Sequence, residues 1–454
     1  MKRLLFILAG LTLISAVPSQ AALDKRVKVY ADLDKPVIMS GTPENVVIRV
    51  GLSAPDMDFV KQRIPLNLAI VLDKSGSMGS QNKIQNARSA ALEIIDRLNP
   101  NDIVSLIVYD SRAWVMVPAQ PLKDKGTFTS AINRINADGS TALYDGVSLG
   151  ARELRKNLSS EYFNKVILLS DGLANIGPSS TEEIASLGDS LESDGITITT
   201  VGVGLDYNEN LMGALAESSG GNTYFAQDSD RLPEIFAQEI DESMTLAAQK
   251  VKIRVECADG VVPVGSIGRK AVYGNRDMEL TINNLYGKNE KSAMFEVQVP
   301  AGKPNGNLEV ARVTVEYFDP KTQETVSERQ AVNIRFDSNQ AVVDKALNKE
   351  ILKDAELTRT SEIKQQAIAL ADQGHYQEAD ALLQQRGADL EKVAQQCDND
   401  AELMEEAKKN KSSSWSENAK KGTTNFFRKR MHAESQSQIG QQYEPGYSDY
   451  WGSK

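Results

Sequence analysis

Five oxygen-bearing side chains stand in three short segments of the sequence. Asp73, Ser75 and Ser77 form an Asp-x-Ser-x-Ser pattern directly after the apolar run LNLAIVL. Thr141 lies in the segment GSTALYDG, and Asp171 follows the apolar run KVILLS. Carboxylate and hydroxyl oxygens are the ligands that hard cations prefer. We therefore predict a site for Mg²⁺, with Mn²⁺ or Ca²⁺ as alternatives, and expect these five residues to form it.

Few other residues could bind a metal ion or form a disulfide. The chain has two histidines, His375 and His432, and two cysteines, Cys257 and Cys397. A zinc site of the usual kinds needs more thiols or a closer pair of imidazoles than these. The two thiols could form one disulfide in an oxidising compartment, and the sequence does not decide whether they do.

The elements that must position the five oxygens come from residues 66–247. Apolar runs alternate with helical segments there, and in the segment 83–98 the residues Ile84, Ala87 and Ala91 recur at helical spacing. Continuously apolar strands flanked by helices indicate a doubly wound α/β unit with a mostly parallel sheet. Ligand sites in such sheets form beyond the carboxyl ends of the strands. The three segments are therefore expected to meet at one edge.

This pattern resembles the von Willebrand factor A domain family, whose metal-ion-dependent adhesion site combines Asp-x-Ser-x-Ser, a threonine and an aspartate. Asp73, Ser75, Ser77, Thr141 and Asp171 match those positions. The resemblance implies an ion that binds an acidic side chain of a partner at its open position. It also implies that Asp145 orients a loop hydroxyl or water. Strands on both sides and an export signal further resemble bacterial relatives of the inter-α-trypsin inhibitor heavy chains.

Each predicted ligand has a simpler explanation. Asp73, Ser75 and Ser77 could cap the helix that begins near Gln81. Thr141 could cap its own helix, and Asp171 could be a turn residue before glycine. The coincidence of all three segments at strand ends favours the metal site.

The N-terminal segment 1–21 has the pattern of a secretory signal peptide. Lys2 and Arg3 precede an apolar stretch from Leu4 to Val17, and Ala21 ends a short segment of small residues. The alternative is an uncleaved membrane anchor, although the stretch is shorter than a bilayer requires. We expect an exported protein of the periplasm or cell surface.

The remaining chain divides into further regions. Alternating strand patterns in 22–65 and 248–338 predict one β-sandwich into which 66–247 is inserted, with two independent β pieces as the alternative. Helix-forming composition predicts a helical hairpin, similar to a tetratricopeptide repeat, in 339–410. A polar composition predicts a disordered tail in 411–454. The fold class is thus an α/β unit inserted in a β-sandwich, with a C-terminal helical hairpin.

Charge restricts the partners. The net charge of −11 argues against nucleic-acid binding. The basic segment 408–430 carries aromatic residues and could contact an anionic membrane or cell-wall polymer, or it could be a solvated tail.

These patterns predict an exported, Mg²⁺-dependent binding or adhesion module whose partner is a protein that presents Asp or Glu. The alternatives are a structural or assembly factor of the cell envelope, and a metal-dependent hydrolase. The motifs G-x-S-x-G and G-x-x-x-x-G-K-[ST] are absent, so we expect neither an enzyme nor a nucleotide-binding protein.

Overall fold

The computed structural model describes residues 27–56 and 63–441, so the predicted signal peptide 1–21 lies outside the described residues. The strands in chain order are β1 (Lys28–Leu33), β2 (Val37–Met39), β3 (Glu44–Ser53), β4 (Leu66–Asp73), β5 (Ile103–Tyr109), β6 (Ala113–Pro121), β7 (Phe163–Ser170), β8 (Ile196–Val203), β9 (Thr223–Ala226), β10 (Leu246–Cys257), β11 (Val262–Ile267), β12 (Val272–Tyr273), β13 (Asp277–Tyr286), β14 (Glu290–Val299), β15 (Asn307–Asp319) and β16 (Glu324–Asp337). The helices are α1 (Lys83–Arg97), α2 (Lys125–Ile132), α3 (Leu143–Arg155), α4 (Thr181–Ser193), α5 (Glu209–Ser219), α6 (Leu232–Ser243), α7 (Gln340–Ala346), α8 (Lys349–Asp372), α9 (Tyr376–Gln396), α10 (Ala401–Ser412), α11 (Trp415–Lys421) and α12 (Thr424–Gly440), with single 3-10 turns at Gly76–Gly79 and Ser229–Arg231.

One six-stranded sheet forms the centre of the α/β unit. Its strand order is β6-β5-β4-β7-β8-β9, and all pairs are parallel except the antiparallel edge pair β5–β6. Every residue of β4, β5, β7 and β8 is buried. Separate apolar clusters cover the two faces of this sheet, which explains why its strands are mostly apolar on both faces.

The other two sheets pack face to face as a β-sandwich. Their strand orders are β1-β3-β14-β11 and β12-β13-β10-β15-β16-β2. Strand β3 precedes the α/β unit and pairs antiparallel with β14, which follows it, from Glu44↔Val299 to Ser53↔Glu290. Apolar side chains of both sheets form one core. The predicted fold class is confirmed: an α/β unit is inserted in a β-sandwich and helices follow.

The C-terminal helices pack against each other and against both other parts. Helices α8 and α9 form a hairpin, and Gly374 in its turn has a φ of 83°, a conformation that glycine adopts without strain. The prediction of a disordered tail from residue 411 is wrong up to residue 441. The side chain of Trp415 is fully buried and contacts Phe427 edge to face, with ring centroids 4.8 Å apart. Residues 442–454 of that predicted tail lie outside the described residues.

The basic segment 408–430 folds into helices and is not an unstructured tail. Six of its cations form ion pairs: Lys411, Arg428 and Lys429 with carboxylates of other helices, and the other three with carboxylates of their own helix. Such pairs are Lys409 with Glu405, Lys411 with Glu391, Lys421 with Glu417, Arg428 with Asp372 and Glu209, Lys429 with Glu209, and Arg430 with Glu434. Lys408 and Lys420 are exposed, and contact of this segment with an anionic membrane or cell-wall polymer stays a prediction.

Both cysteines are free thiols buried in different places. Cys257 belongs to the sandwich core, and Cys397 lies at the end of α9 in a separate small cluster. The structure therefore forms no disulfide between them. Within the described residues, no helix has the length and apolar character needed to cross a bilayer.

The packing of the C-terminal helices should contribute measurably to stability. We expect Trp415→Ala to lower the free energy of unfolding by about 3–5 kcal/mol, because it opens a large cavity among α8, α9 and α12. Urea unfolding of the purified protein measures this. The control is Phe426→Ala in the same segment, where the side chain is only partly buried. Equal stability of wild type and Trp415→Ala would contradict the packing described here.

Candidate metal centre

Three loops meet beyond the carboxyl ends of β4 and β7. Backbone hydrogen bonds join them: Gly76 N donates to Gly139 O at 3.0 Å, and Asn175 N donates to Thr141 O at 3.2 Å. Strands β4 and β7 are adjacent and parallel, so their last residues come to the same edge of the sheet. The edge is open, because Ser77 and Asn175 are exposed. The five predicted residues all lie in these three loops.

Asp73 is the buried carboxylate at the end of β4. Its Oδ1 accepts a hydrogen bond from Ser75 N at 2.8 Å, and its Oδ2 accepts one from Ser170 Oγ at 2.9 Å. Burial raises the pKa of Asp73 to about 6, and the charge of Asp171 adds to this rise, whereas the hydrogen bonds from Ser75 and Ser170 lower it. A nearby cation would therefore stabilise the ionised form of this side chain.

The serine hydroxyls connect Asp73 with Asp171. Ser75 Oγ lies 3.1 Å from Ser77 Oγ, and Ser77 Oγ donates to Asp171 Oδ1 at 2.6 Å. Asp171 is fully buried directly after β7. The structure thus brings four of the five predicted residues into one chain of polar contacts.

Thr141 faces the same place from the third loop. Its backbone N–H donates to Asn175 Oδ1 at 2.9 Å. A β-carbon placed on Gly172 would lie 3.3 Å from Thr141 Oγ1 and 3.6 Å from Ser77 Oγ. Both hydroxyls therefore border the space beside Gly172, and any larger residue there would enter that space.

Lys83 is a member of the cluster that sequence reasoning missed. Its Nζ donates to Asp171 Oδ2 at 2.8 Å, and both side chains are buried. A lysine in the first turn of a helix is opposed by the helix dipole, and Lys83 is the first residue of α1. That unfavourable position is the one signal in the sequence that could have indicated a specific partner for it.

The prediction that Asp145 orients a loop hydroxyl is not borne out, and its action through a water stays a prediction. Asp145 lies in the first turn of α3, its side chain is exposed, and it makes no hydrogen bond in the described part of the chain. Ser170, Asn175 and Lys83 instead hold the loop groups in place. Asp145 lies close to Thr141 in the sequence, but its position on α3 turns its carboxylate to solvent.

The donor set fits a hard cation. Nowhere in the described chain do three or more His, Cys, Asp or Glu side chains form a group that could hold a metal ion. The cluster at this edge offers two carboxylates and three hydroxyls, and Mg²⁺ accepts both kinds of oxygen and keeps bound waters. The residues present are therefore compatible with Mg²⁺ and unsuited to softer metals.

Comparison with known proteins identifies the family of the α/β unit. A family model described as von Willebrand factor type A domain matches residues 67–238. These residues are a von Willebrand factor type A domain. Members of this family typically mediate protein–protein interaction or adhesion, and the domain is called the A domain below.

Two solved structures share the arrangement of the whole chain. A von Willebrand factor type A protein from Catenulispora acidiphila has a TM-score of 0.65 at 16% identity, and the alignment covers 85% of this chain and 89% of that one. An ArnB paralog from Sulfolobus acidocaldarius, VWA2, has a TM-score of 0.57 at 19% identity, with 92% and 100% covered. At these identities the likeness concerns the fold alone.

Two sequence relatives match smaller parts of this chain. An uncharacterized Synechocystis protein is 27% identical over 294 residues, which cover 61% of this chain and 67% of that protein. The mouse inter-α-trypsin inhibitor heavy chain H3 is 31% identical over 179 residues, which cover 37% of this chain. The chain spans only 20% of the length of that heavy chain.

A buried polar network holds the last helix of the A domain to its sheet. Lys165 of β7 pairs with Glu239 of α6, and Glu239 also accepts hydrogen bonds from Thr199, Asn222 and Tyr224. One helical turn later, burial and the charge of Glu239 raise the pKa of Glu242 from its ordinary value of 4.5 to about 7. Glu242 thus favours its protonated form in the folded protein.

This shift predicts a pH-dependent effect of Glu242→Gln. The folded state binds the Glu242 proton more tightly than the unfolded state does. Protonated Glu242 therefore contributes to stability below about pH 4.5, and this contribution is lost as the pH rises to about 7. We expect Glu242→Gln to gain stability relative to wild type across that interval. Urea unfolding at several pH values measures the difference, with exposed Glu234→Gln on the same helix as the control. A difference that does not change with pH would contradict the assignment.

Proposed function

We propose that this protein is an exported, Mg²⁺-dependent binding module that captures an acidic side chain of a partner protein. Asp73, Ser75, Ser77, Thr141 and Asp171 would hold the ion. The observation that carries the proposal is the convergence of two carboxylates and three hydroxyls at the open end of the A-domain sheet. Export rests on the sequence of residues 1–21.

The charges of the cluster support an acidic ligand. The charges of Asp73 and Asp171 are partly offset by the ammonium group of Lys83. A bound Mg²⁺ would supply a coordination position that an anionic oxygen from outside can fill. Ser75, Ser77 and Thr141 contribute neutral oxygens, so the chain does not neutralise a divalent ion by itself. A partner carboxylate would neutralise the remaining positive charge.

Apolar side chains beside the loops support a protein partner. Leu173 follows the Asp171-Gly172 pair and is 59% exposed. Leu205 is 36% exposed and follows Gly204, where an added β-carbon would lie 3.5 Å from Lys83 Nζ. Exposed leucines around a charged centre give a docked partner apolar area to bury. Selectivity would then come from this surface and not from the ion.

Catalysis is a weaker explanation. Both histidines belong to the C-terminal helices: His375 precedes α9 and His432 lies in α12. No imidazole therefore stands beside the three loops to serve as a base at neutral pH. The alternative of a structural or assembly factor differs in one measurable respect, because the metal would then affect stability without affecting partner capture.

Pull-down from native envelope extract tests the proposal. The wild-type protein is expected to retain a partner in Mg²⁺ and to release it into EDTA. Ser77→Ala should retain much less, whereas the control Ser179→Ala, exposed near the same loops, should behave as wild type. Capture that survives both EDTA and Ser77→Ala would overturn the metal-dependent function. If EDTA lowers the stability of the protein but does not release the partner, the structural alternative is favoured.

A further inference from the structure

A cavity of about 410 Å³ lies where the three parts of the protein meet, away from the metal loops. Helix α5 of the A domain forms one wall through Ala216 and Glu217, and β13 of the sandwich forms another through Thr281 and Asn284. The end of α12 closes it at Gly440. Ligand sites commonly form at such junctions between domains, and this volume is within the usual range.

Lys291 lines this cavity without a partner. Its side chain extends from β14, the residue is 9% exposed, and it forms no hydrogen bond or ion pair in the described part of the chain. Its ammonium lies 5.9 Å from the ring centroid of Tyr286. Burial lowers the pKa of Lys291 to about 8; the positive charge of Arg269 contributes to this shift, and the charges of Glu242 and Glu239 oppose it. An unpaired buried ammonium is costly unless something else neutralises it.

Arg269 is the second cation of the cavity. Its Nη2 donates to Gly440 O at 3.2 Å, its Nε is buried without an acceptor, and its Nη1 makes no hydrogen bond in the described part of the chain. Burial also lowers the pKa of Arg269. Two cations that repel each other therefore line one cavity, each with donor capacity to spare.

The carboxylates of the protein do not resolve this imbalance. Glu239 is engaged by Lys165, and Glu242 accepts a hydrogen bond from Gln238, so neither forms an ion pair with Lys291. The rim of the cavity carries further charged side chains that are exposed or half-buried. These are Asp189, Glu192, Glu217, Glu279 and Lys270.

We propose that this cavity binds a small organic anion with a single carboxylate group, held by Lys291 and Arg269. The Arg269 Nη1 group and the Lys291 ammonium match the two oxygens of one carboxylate. The acidic rim disfavours multiply charged anions such as phosphate. Because the cavity walls come from the A domain, the sandwich and α12, a bound anion would also stabilise the contact among them.

Thermal unfolding with added ligands tests the site. The probes are monocarboxylates, beginning with propionate, each compared with its neutral amide at equal ionic strength. We expect the carboxylates to raise the melting temperature and the amides to leave it unchanged. No shift with any monocarboxylate, or equal shifts with the amides, would overturn the proposal. A larger shift with inorganic phosphate would overturn the assignment to carboxylates.

Lys291→Met separates ligand binding from folding. Removing the unpaired ammonium should leave the free protein at least as stable as wild type, while the affinity for the carboxylate falls about 30-fold or more. The matched control is Lys303→Met, an exposed lysine outside the cavity. A variant that binds as wild type would contradict the proposal. A variant that unfolds more easily without ligand would identify Lys291 as a structural cation and would also contradict it.

Discussion

Asp73→Asn is expected to lower the affinity for Mg²⁺ about 10- to 100-fold or more, because a loss in that range follows even when a group that only orients the metal ligands is changed. Asparagine has the same shape, and its Oδ1 can still accept the hydrogen bond from Ser75 N. The substitution removes one of the two negative charges of the cluster. The loops should therefore keep their arrangement while the attraction for a divalent cation falls.

Calorimetric titration with Mg²⁺ measures this loss, and thermal unfolding in EDTA checks that the fold is intact. Because Asp73 is buried with a raised pKa, the neutral asparagine should not destabilise the metal-free protein. Asp124→Asn is the matched control. Asp124 is an exposed cap of α2 that accepts from Gly126 N, and asparagine caps helices equally well. Unchanged Mg²⁺ affinity in Asp73→Asn would show that the ion, if bound, binds elsewhere.

The loops of this site could be predicted because each ligand stands next to a strong local signal. The continuously apolar strands β4 and β7 end at Asp73 and Ser170, and the order of parallel strands brings those ends together. Lys83 could not be found in this way. Its contact with Asp171 joins residues 88 positions apart, and helical periodicity does not indicate which side chain a lysine ammonium group contacts.

The C-terminal helices show the same limit on a larger scale. Local composition of the segment after residue 410 is polar and charged, which is typical of disorder. The fully buried Trp415 and the ion pair between Lys429 and Glu209 hold it in place. Lys429 lies 220 residues after Glu209, and it also donates to Tyr207 O at 2.6 Å and stacks over the Tyr207 ring. Such partners depend on tertiary structure that composition does not contain.

Lys165→Met is expected to lower the free energy of unfolding by about 3–5 kcal/mol, because it leaves Glu239 charged and unpaired in the core. Both side chains are almost fully inaccessible, at 0% and 1% exposure. Burial alone would raise the pKa of Glu239, but the Lys165 ammonium and the hydrogen bonds from Asn222 and Tyr224 hold it below its ordinary range. Without the Lys165 ammonium, burial should raise the pKa of Glu239.

A second substitution distinguishes a lost ion pair from a lost side chain. Lys165→Met combined with Glu239→Gln removes both charges, and the amide that replaces the carboxylate can keep hydrogen bonds with Thr199 and Tyr224. Urea unfolding should show that the double variant recovers most of the lost stability, whereas exposed Lys392→Met, the control, should change little. If the double variant is as unstable as Lys165→Met, the packing of the lysine stem is what matters. The charge pair between Lys165 and Glu239 would then not be what fixes α6 to the sheet.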